Sequence, residues 1–214
     1  MKQYTTIAQK CVVKIDIEKS EFIGIALPLS CETDISIFTK EAQADFPGAN
    51  HYAYAYLFGD NQKHQKFSDD GEPSGTAGLP MLELLKHKHL DNSMVIVLRY
   101  FGGIKLGTGG LKRAYSRTAL EAIQSAGLKT FTLCRIYQLT CPYHLWGKTQ
   151  YELESKVVLL ENVDYGEAVE LNLVVPLNDE KEMIDCLRNL SASQIALTQV
   201  STEFRFIQPL SLPD

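Results

Sequence analysis

Residues 99–117 constrain the fold of this chain more than any other stretch, because they join an apolar strand to a helix through glycine. The stretch reads Arg-Tyr-Phe-Gly-Gly-Ile-Lys-Leu-Gly-Thr-Gly-Gly-Leu-Lys-Arg-Ala-Tyr-Ser-Arg and follows the apolar run 94–98. Five of its residues are glycine, five are basic, and no carboxylate occurs from residue 92 to residue 120. Open backbone N–H groups and a helix N-terminus both attract anions. We therefore expect a negative group to dock there, either a ligand or a segment of the protein itself.

The candidate anion- or RNA-binding residues are the basic and glycine residues of this stretch, namely Arg99, Lys105, Lys112, Arg113, Arg117, Gly102, Gly103, Gly107, Gly109 and Gly110. The stretch does not match the two common nucleotide motifs. A P-loop requires Lys and then Ser or Thr after Gly107, and a dinucleotide fingerprint requires glycine at position 112. The alternative interpretation is a tight strand-to-helix turn whose basic side chains are simply solvated.

A second glycine-rich loop, residues 68–78, carries the carboxylates Asp69, Asp70 and Glu72 together with Ser74. These carboxylates could bind a divalent cation, act as acid and base, or pair with the basic stretch. Ion pairing or helix capping is favoured, since the spacing of a calcium loop is missing and Ser74 lacks a nucleophile motif. No metal site and no catalytic residue is predicted. Both loops follow strands and precede helices, so we expect them to lie side by side.

The first part of the chain is predicted to alternate strands and helices. In residues 51–58, alanine and leucine alternate with Tyr52, Tyr54 and Tyr56, the pattern of a β-strand. A tyrosine face of this kind could stack on nucleic-acid bases or pack beneath a helix. The predicted strands are Cys11–Ile17, 21–29, His51–Phe58 and Ser93–Tyr100, and the predicted helices are Thr33–Asp45, 79–88 and 109–126.

The second part of the chain is predicted to have the element order βαββαβ, the split βαβ or ferredoxin-like order. Its predicted strands are 131–140, 156–162, 168–175 and 199–207, and its helices are 143–155 and 178–190. Charge changes at the same place: residues 1–130 hold 15 Lys and Arg against 14 Asp and Glu, whereas residues 131–214 hold 6 against 12. We therefore predict an α+β protein with two domains, 1–130 and 131–214.

Composition excludes several classes of protein. The net charge of −5 argues against a surface that is basic throughout, and 45% apolar residues are typical of a globular chain. The apolar runs are too short to span a membrane, and the N-terminus lacks a signal-peptide core. Five cysteines without a Cys-x-x-Cys pair favour reduced thiols. We expect a cytoplasmic monomer that has no membrane association and no cofactor.

Two long motifs, Phe-Ser-Asp-Asp-Gly-Glu-Pro-Ser-Gly-Thr-Ala-Gly at 67–78 and Arg-Tyr-Phe-Gly-Gly-Ile-Lys-Leu-Gly-Thr-Gly-Gly at 99–110, resemble those of the YigZ/IMPACT family. The similarity extends over the whole chain in the bacterial two-domain form. It implies a two-layer α/β domain like domain IV of elongation factor G, followed by a ferredoxin-like domain like domain V of that factor.

The resemblance also implies an association with translation. Eukaryotic relatives restrain a starvation-responsive kinase and carry an additional RWD domain for this. This sequence begins directly at the motif-bearing domain, so the kinase role is not transferred to it.

The first functional interpretation is a non-catalytic protein that binds RNA or the ribosome and regulates translation. Five phosphate contacts would give a salt slope of about −3.5 to −4.5. The alternative is an enzyme acting on a phosphorylated or anionic small substrate, with Asp69, Asp70 and Glu72 facing the basic loop. A third possibility is a protein partner in translation that approaches the acidic residues 131–214.

Overall fold

The computed structural model describes residues 3–59, 62–156, 158–191 and 194–207, and two compact units divide them. One unit is Tyr4–Lys129, and the other is Gln3 together with the residues from Thr130 onward. The fold is mixed α+β, as predicted. The strands are β1 (Gln3–Ile7), β2 (Cys11–Ile17), β3 (Ser20–Pro28), β4 (His51–Phe58), β5 (His64–Ser68), β6 (Ser93–Tyr100), β7 (Leu128–Cys141), β8 (Leu159–Tyr165), β9 (Val169–Pro176) and β10 (Ala196–Phe206). The helices are α1 (Thr33–Asp45), α2 (Gly78–His87), α3 (Gly107–Ala126), α4 (Tyr143–Glu154) and α5 (Glu180–Ser191).

The first sheet has the order β2-β3-β6-β4-β5, and every neighbouring pair is antiparallel. On one face, Ala53, Ala55, Val95 and Val97 pack in a cluster with residues of α2 and α3. On the other face, Met94, Ile96 and Leu98 pack in a cluster with residues of α1. The predicted two-layer arrangement is therefore wrong. Because β6 is apolar on both faces, both faces need a helical cover, and the unit has three layers.

The tyrosine face of β4 belongs to the α1 side. Tyr52, Tyr54 and Tyr56 are half-buried against the cluster that contains Phe38 and Ala42 of α1. The rings of Tyr54 and Tyr56 are stacked with their centroids 6.4 Å apart. The tyrosines thus help to close the core beneath a helix, which is the packing role weighed from the sequence.

The second sheet has the antiparallel order β10-β7-β9-β8, and β1 is its remaining strand, paired with β7. The order of elements from β7 to β10 is βαββαβ. The core here contains Leu139, Leu171 and Leu173 of the strands with Leu153 of α4 and Leu187 of α5. The hairpin turn lies later than predicted, since β8 extends to Tyr165. Val157, which the sequence placed in a strand, lies outside the described residues.

Most of the predicted boundaries in the first unit are confirmed. Strands β2, β4 and β6 and helix α1 have the predicted bounds, whereas α3 begins two residues earlier, at Gly107. Strands β1 and β5 were not predicted. The sequence of β5, His-Gln-Lys-Phe-Ser, has no apolar alternation, and this edge strand exists through its pairing with β4.

The loop after β6 lies against the β2–β3 turn at Gly102. A Cβ atom at this position would lie 1.7 Å from the carbonyl oxygen of Lys19, and the Gly102 N–H donates to Ser20 Oγ at 3.2 Å. Only a residue without a side chain permits this approach. The glycine thereby holds the beginning of the glycine-rich loop against the sheet.

We expect Gly102→Ala to lower the free energy of unfolding by about 3 kcal/mol, because backbone must move to accept the added methyl group. Urea unfolding followed by far-ultraviolet circular dichroism measures this. Gly147→Ala is the matched control, since Gly147 lies in α4 with open space around its Cα, and it should stabilise by about 0.5–1 kcal/mol. Equal effects of the two substitutions would contradict this role of Gly102.

Candidate functional site

Asp69 caps helix α2 from the preceding loop. Its carboxylate accepts hydrogen bonds from the N–H groups of Gly75 at 2.8 Å and of Ala77 and Gly78 at 2.9 Å each. Ala77, the residue before the helix, has a methyl side chain that cannot accept a hydrogen bond. Asp69 therefore satisfies the open donors of the helix start and complements its positive end.

Asp70 attaches the same loop to the start of β4. Its carboxylate accepts from the Tyr52 N–H at 2.7 Å, and its carbonyl oxygen lies 2.7 Å from Nδ1 of His51. A carbonyl can only accept, so Nδ1 of His51 carries a proton and donates it. In the neutral ring, Nε2 of His51 is then an acceptor.

Glu72 lies in the interior and neutralises Arg99. Its Oε1 accepts from Arg99 Nη1 at 2.8 Å and from the Tyr115 hydroxyl at 2.9 Å, and the two charged side chains are 4% and 6% exposed. Burial and the nearby carboxylate raise the pKa of Tyr115 well above its usual range, so its hydroxyl stays protonated and donates. Nε2 of His51 is 4.0 Å from the same oxygen.

Aromatic rings and Ser20 surround the guanidinium of Arg99. Its Cζ lies 5.4 Å from the ring centre of Phe22 and 5.1 Å from that of Phe101, and Nη2 donates to Ser20 Oγ at 3.3 Å. Among the described residues, Nε of Arg99 has no hydrogen-bond partner. Arg99 therefore does not belong to an exposed anion-binding surface. The carboxylate of Glu72 and the cation–π contacts hold it inside.

The glycines after β6 have different roles. Gly103 and Gly107 adopt positive φ angles of 85° and 66°, which favour glycine. Gly110 lies so close to Leu106 that a Cβ atom would be 2.9 Å from the leucine Cβ. Gly109 lies in the first turn of α3, near the guanidinium of Arg113.

Helix α3 begins without a cap, unlike α2. Leu106 precedes it, no side chain caps its N–H groups, and its first turn contains no acidic residue. The first turn therefore offers open N–H donors at the positive end of a 20-residue helix.

Four basic side chains lie exposed just before α3 and along its first three turns: Lys105, Lys112, Arg113 and Arg117, which we call the cationic face. None of them pairs with a carboxylate of the described residues. Lys105, Arg113 and Arg117 line a groove of about 500 Å³ that has Glu18 as an acidic lining residue. Lys112 and Arg113 line a second groove, of about 300 Å³, next to Glu83. Arg113 thus borders both grooves.

Glu72 links the loop 68–78 to the stretch 99–117, because its carboxylate accepts from both Arg99 and Tyr115. Glu72 forms an ion pair with Arg99, whereas Asp69 and Asp70 accept hydrogen bonds from nearby backbone N–H groups. Ser74 is exposed. The structure gives all three carboxylates structural partners, and the described residues contain no group of acidic, His or Cys side chains able to hold a metal ion.

Sequence reasoning missed the two residues that complete the buried cluster, Ser20 and Tyr115. Tyr115 is the one large polar side chain on the alanine-rich inner face of α3. A buried tyrosine hydroxyl needs a hydrogen-bond partner, so this position could have been identified from the sequence as part of a buried polar cluster. Ser20 carries no comparable signal in the sequence.

We expect Glu72→Gln to lower the free energy of unfolding by about 3 kcal/mol or more, because it leaves a buried guanidinium without its counter-ion. Urea unfolding measures this. Glu41→Gln is the control, because Glu41 forms an exposed pair with Lys10 at 3.0 Å, and we expect a change below about 1 kcal/mol there. A small effect of both substitutions would mean that the buried pair contributes little.

Comparison with known proteins identifies the chain. The Impact N-terminal domain matches residues 18–123, and a domain of unknown function, DUF1949, matches residues 139–194. IMPACT family member YvyE of Bacillus subtilis is 40% identical over 85% of this chain and 82% of its own length. IMPACT family member YigZ of Escherichia coli is 31% identical over 94% and 99%.

A crystal structure described as that of a hypothetical protein is 31% identical, with a TM-score of 0.60 over 94% of this chain and 98% of its own. No helix among the described residues has the length and apolar character needed to cross a membrane. With two family domains in order and a curated relative at 40% identity, the chain belongs to the IMPACT family.

Proposed function

We propose that this protein binds RNA, free or within the ribosome, through the cationic face, and that it regulates translation without catalysing a reaction. The observation that carries the proposal is the cationic face itself. Its four basic side chains are exposed, none of them pairs with a carboxylate of the described residues, and an uncapped helix N-terminus lies beside them. Phosphate groups are the anions that such a surface recognises.

The charge distribution supports a local binding surface. The whole chain has a net charge of −5, so non-specific attraction of RNA to the entire molecule is disfavoured. The carboxylates of the loop 68–78 do not neutralise the cationic face. Asp69 and Asp70 accept hydrogen bonds from backbone N–H groups, and Glu72 is buried with Arg99. Phosphates would therefore meet Lys105, Lys112, Arg113 and Arg117 without displacing an internal ion pair.

Family membership supports the connection with translation. The resemblance to domains IV and V of elongation factor G is part of the proposal, and the βαββαβ order from β7 to β10 suits the second of these. In this proposal the protein is a cytoplasmic monomer with domains 1–130 and 131–214, and it works without a cofactor. The engaged carboxylates give no support to the enzyme alternative.

We expect binding of single-stranded or duplex RNA to show a salt slope of about −2.8 to −3.6, since four basic residues make phosphate contacts once Arg99 is assigned to the interior. Arg113→Glu combined with Arg117→Glu should abolish binding at physiological salt. Titration of labelled RNA at several salt concentrations measures both effects.

The control is Lys40→Glu combined with Lys181→Glu, which makes the same change in net charge at exposed residues of α1 and α5. We expect this variant to bind RNA within about threefold of the unchanged protein, since long-range charge effects are largely screened. Equal loss of affinity in the two double variants would mean that net charge, and not the cationic face, determines binding.

A further inference from the structure

A cavity of about 380 Å³ lies beside the cationic face and is not explained by phosphate-backbone binding. Its lining includes Asn50 and His51 at the start of β4, Phe101 in the loop after β6, and Lys105, Leu106 and Thr108 around the start of α3. Volumes in this range accommodate small organic ligands. The question is which chemistry these walls would recognise.

One end of the cavity suits an anion. Gly107 and Thr108, both in the uncapped first turn of α3, line it together with the ammonium-bearing side chain of Lys105. Arg99 also lines the cavity, and its buried Nε–H has no hydrogen-bond partner among the described residues. The guanidinium of Arg99 is held by Glu72 and Ser20, so the donors that this cavity offers to a phosphate are the open N–H groups of the first turn of α3 and the ammonium of Lys105.

The cavity also has an aromatic wall. Phe101 is 45% exposed although it is a large apolar side chain, and the Arg99 guanidinium lies 5.1 Å from its ring centre. Leu106 and Leu111 add further apolar lining. A flat, unsaturated group would be recognised here by stacking.

Two further polar groups, of opposite character, line the cavity. Nδ1 of His51 donates to the Asp70 carbonyl oxygen, so Nε2 of the neutral ring accepts. Oδ1 of Asn50 accepts from the Phe101 N–H at 2.8 Å, so its amide NH₂ is a donor that has no partner among the described residues. A nucleobase edge presents both donors and acceptors, and such a pair matches it.

The cavity continues into the surface that would hold an RNA backbone. Lys105 and Leu106 line both the cavity and the groove that contains Arg113 and Arg117. A nucleotide seated in the cavity would thus have its neighbouring phosphates beside these arginines.

We propose that the cavity binds one nucleoside monophosphate unit, with its base against Phe101 and its phosphate at the N-terminus of α3 and Lys105. This inference rests on the proposed function where the unit is one nucleotide of a bound RNA. A free mononucleotide presents the same chemistry, so the experiment uses both sources.

The first test changes the anion end without weakening the helix. Thr108→Asp places a carboxylate in the first turn of α3, which the helix dipole favours, but it repels a phosphate. We expect affinity for adenosine 5′-monophosphate to fall at least about tenfold, while Thr108→Asn, the neutral isostere, binds within about threefold of the unchanged protein. Equal binding by the two variants would overturn the placement of the phosphate.

The second test changes the aromatic wall. Phe101→Ala should weaken the binding of a short single-stranded RNA and of adenosine 5′-monophosphate by about 5- to 150-fold, and Phe101→Trp should restore it. Phe67→Ala is the control, since Phe67 is 38% exposed and does not line the cavity. Ribose 5-phosphate, which lacks the base, should compete at least about tenfold more weakly than the mononucleotide.

The two proposals fail in different ways. If Arg113→Glu with Arg117→Glu abolishes RNA binding while Phe101→Ala leaves it unchanged, the cationic face binds RNA and the cavity assignment is overturned. If RNA does not bind but the mononucleotide binds in a Phe101-dependent manner, the cavity assignment holds for a free nucleotide and the RNA proposal is wrong. Equal competition by ribose 5-phosphate overturns the cavity assignment in either case.

Discussion

The buried ion pair of Glu72 and Arg99 organises the region around both glycine-rich loops. It joins three elements, since Glu72 belongs to the loop before α2, Arg99 to β6, and the third partner, Tyr115, to α3. Two charges removed from water are tolerated only when each is paired and hydrogen-bonded. The positions of the loops therefore depend on this cluster, and the rings of Phe22 and Phe101 extend it around the guanidinium.

The starts of helices α2 and α3 differ in whether a carboxylate satisfies their open N–H groups. The carboxylate of Asp69 accepts hydrogen bonds from three backbone N–H groups and caps the start of α2. The start of α3 keeps its donors open, and its first turn contains no acid. The acidic loop is thus structural, and its neighbour is available for a ligand. This difference, rather than the total number of basic residues, distinguishes a binding surface from a solvated one.

The cavity and the cationic face share Lys105, so the two proposed sites adjoin each other. In the proposed binding mode, the basic side chains along α3 would contact phosphates, which every nucleotide carries, whereas Phe101, His51 and Asn50 would contact a base. The Glu72–Arg99 pair and Tyr115, which position the loops, are buried, whereas Lys105, Phe101 and Thr108 at the proposed site are exposed.

The sequence alone determined the α+β class and the bounds of β2, β4, β6 and α1, because the local hydrophobic periodicity of a segment indicates whether it forms a strand or a helix. Only the tertiary structure decided that Arg99 is internal, since its partner Glu72 lies 27 positions away in the chain and no local pattern states which charges will meet. The cavity was equally inaccessible to sequence reasoning. Its walls come from three separate segments, and their proximity follows from how the strands pair and how α3 packs on them.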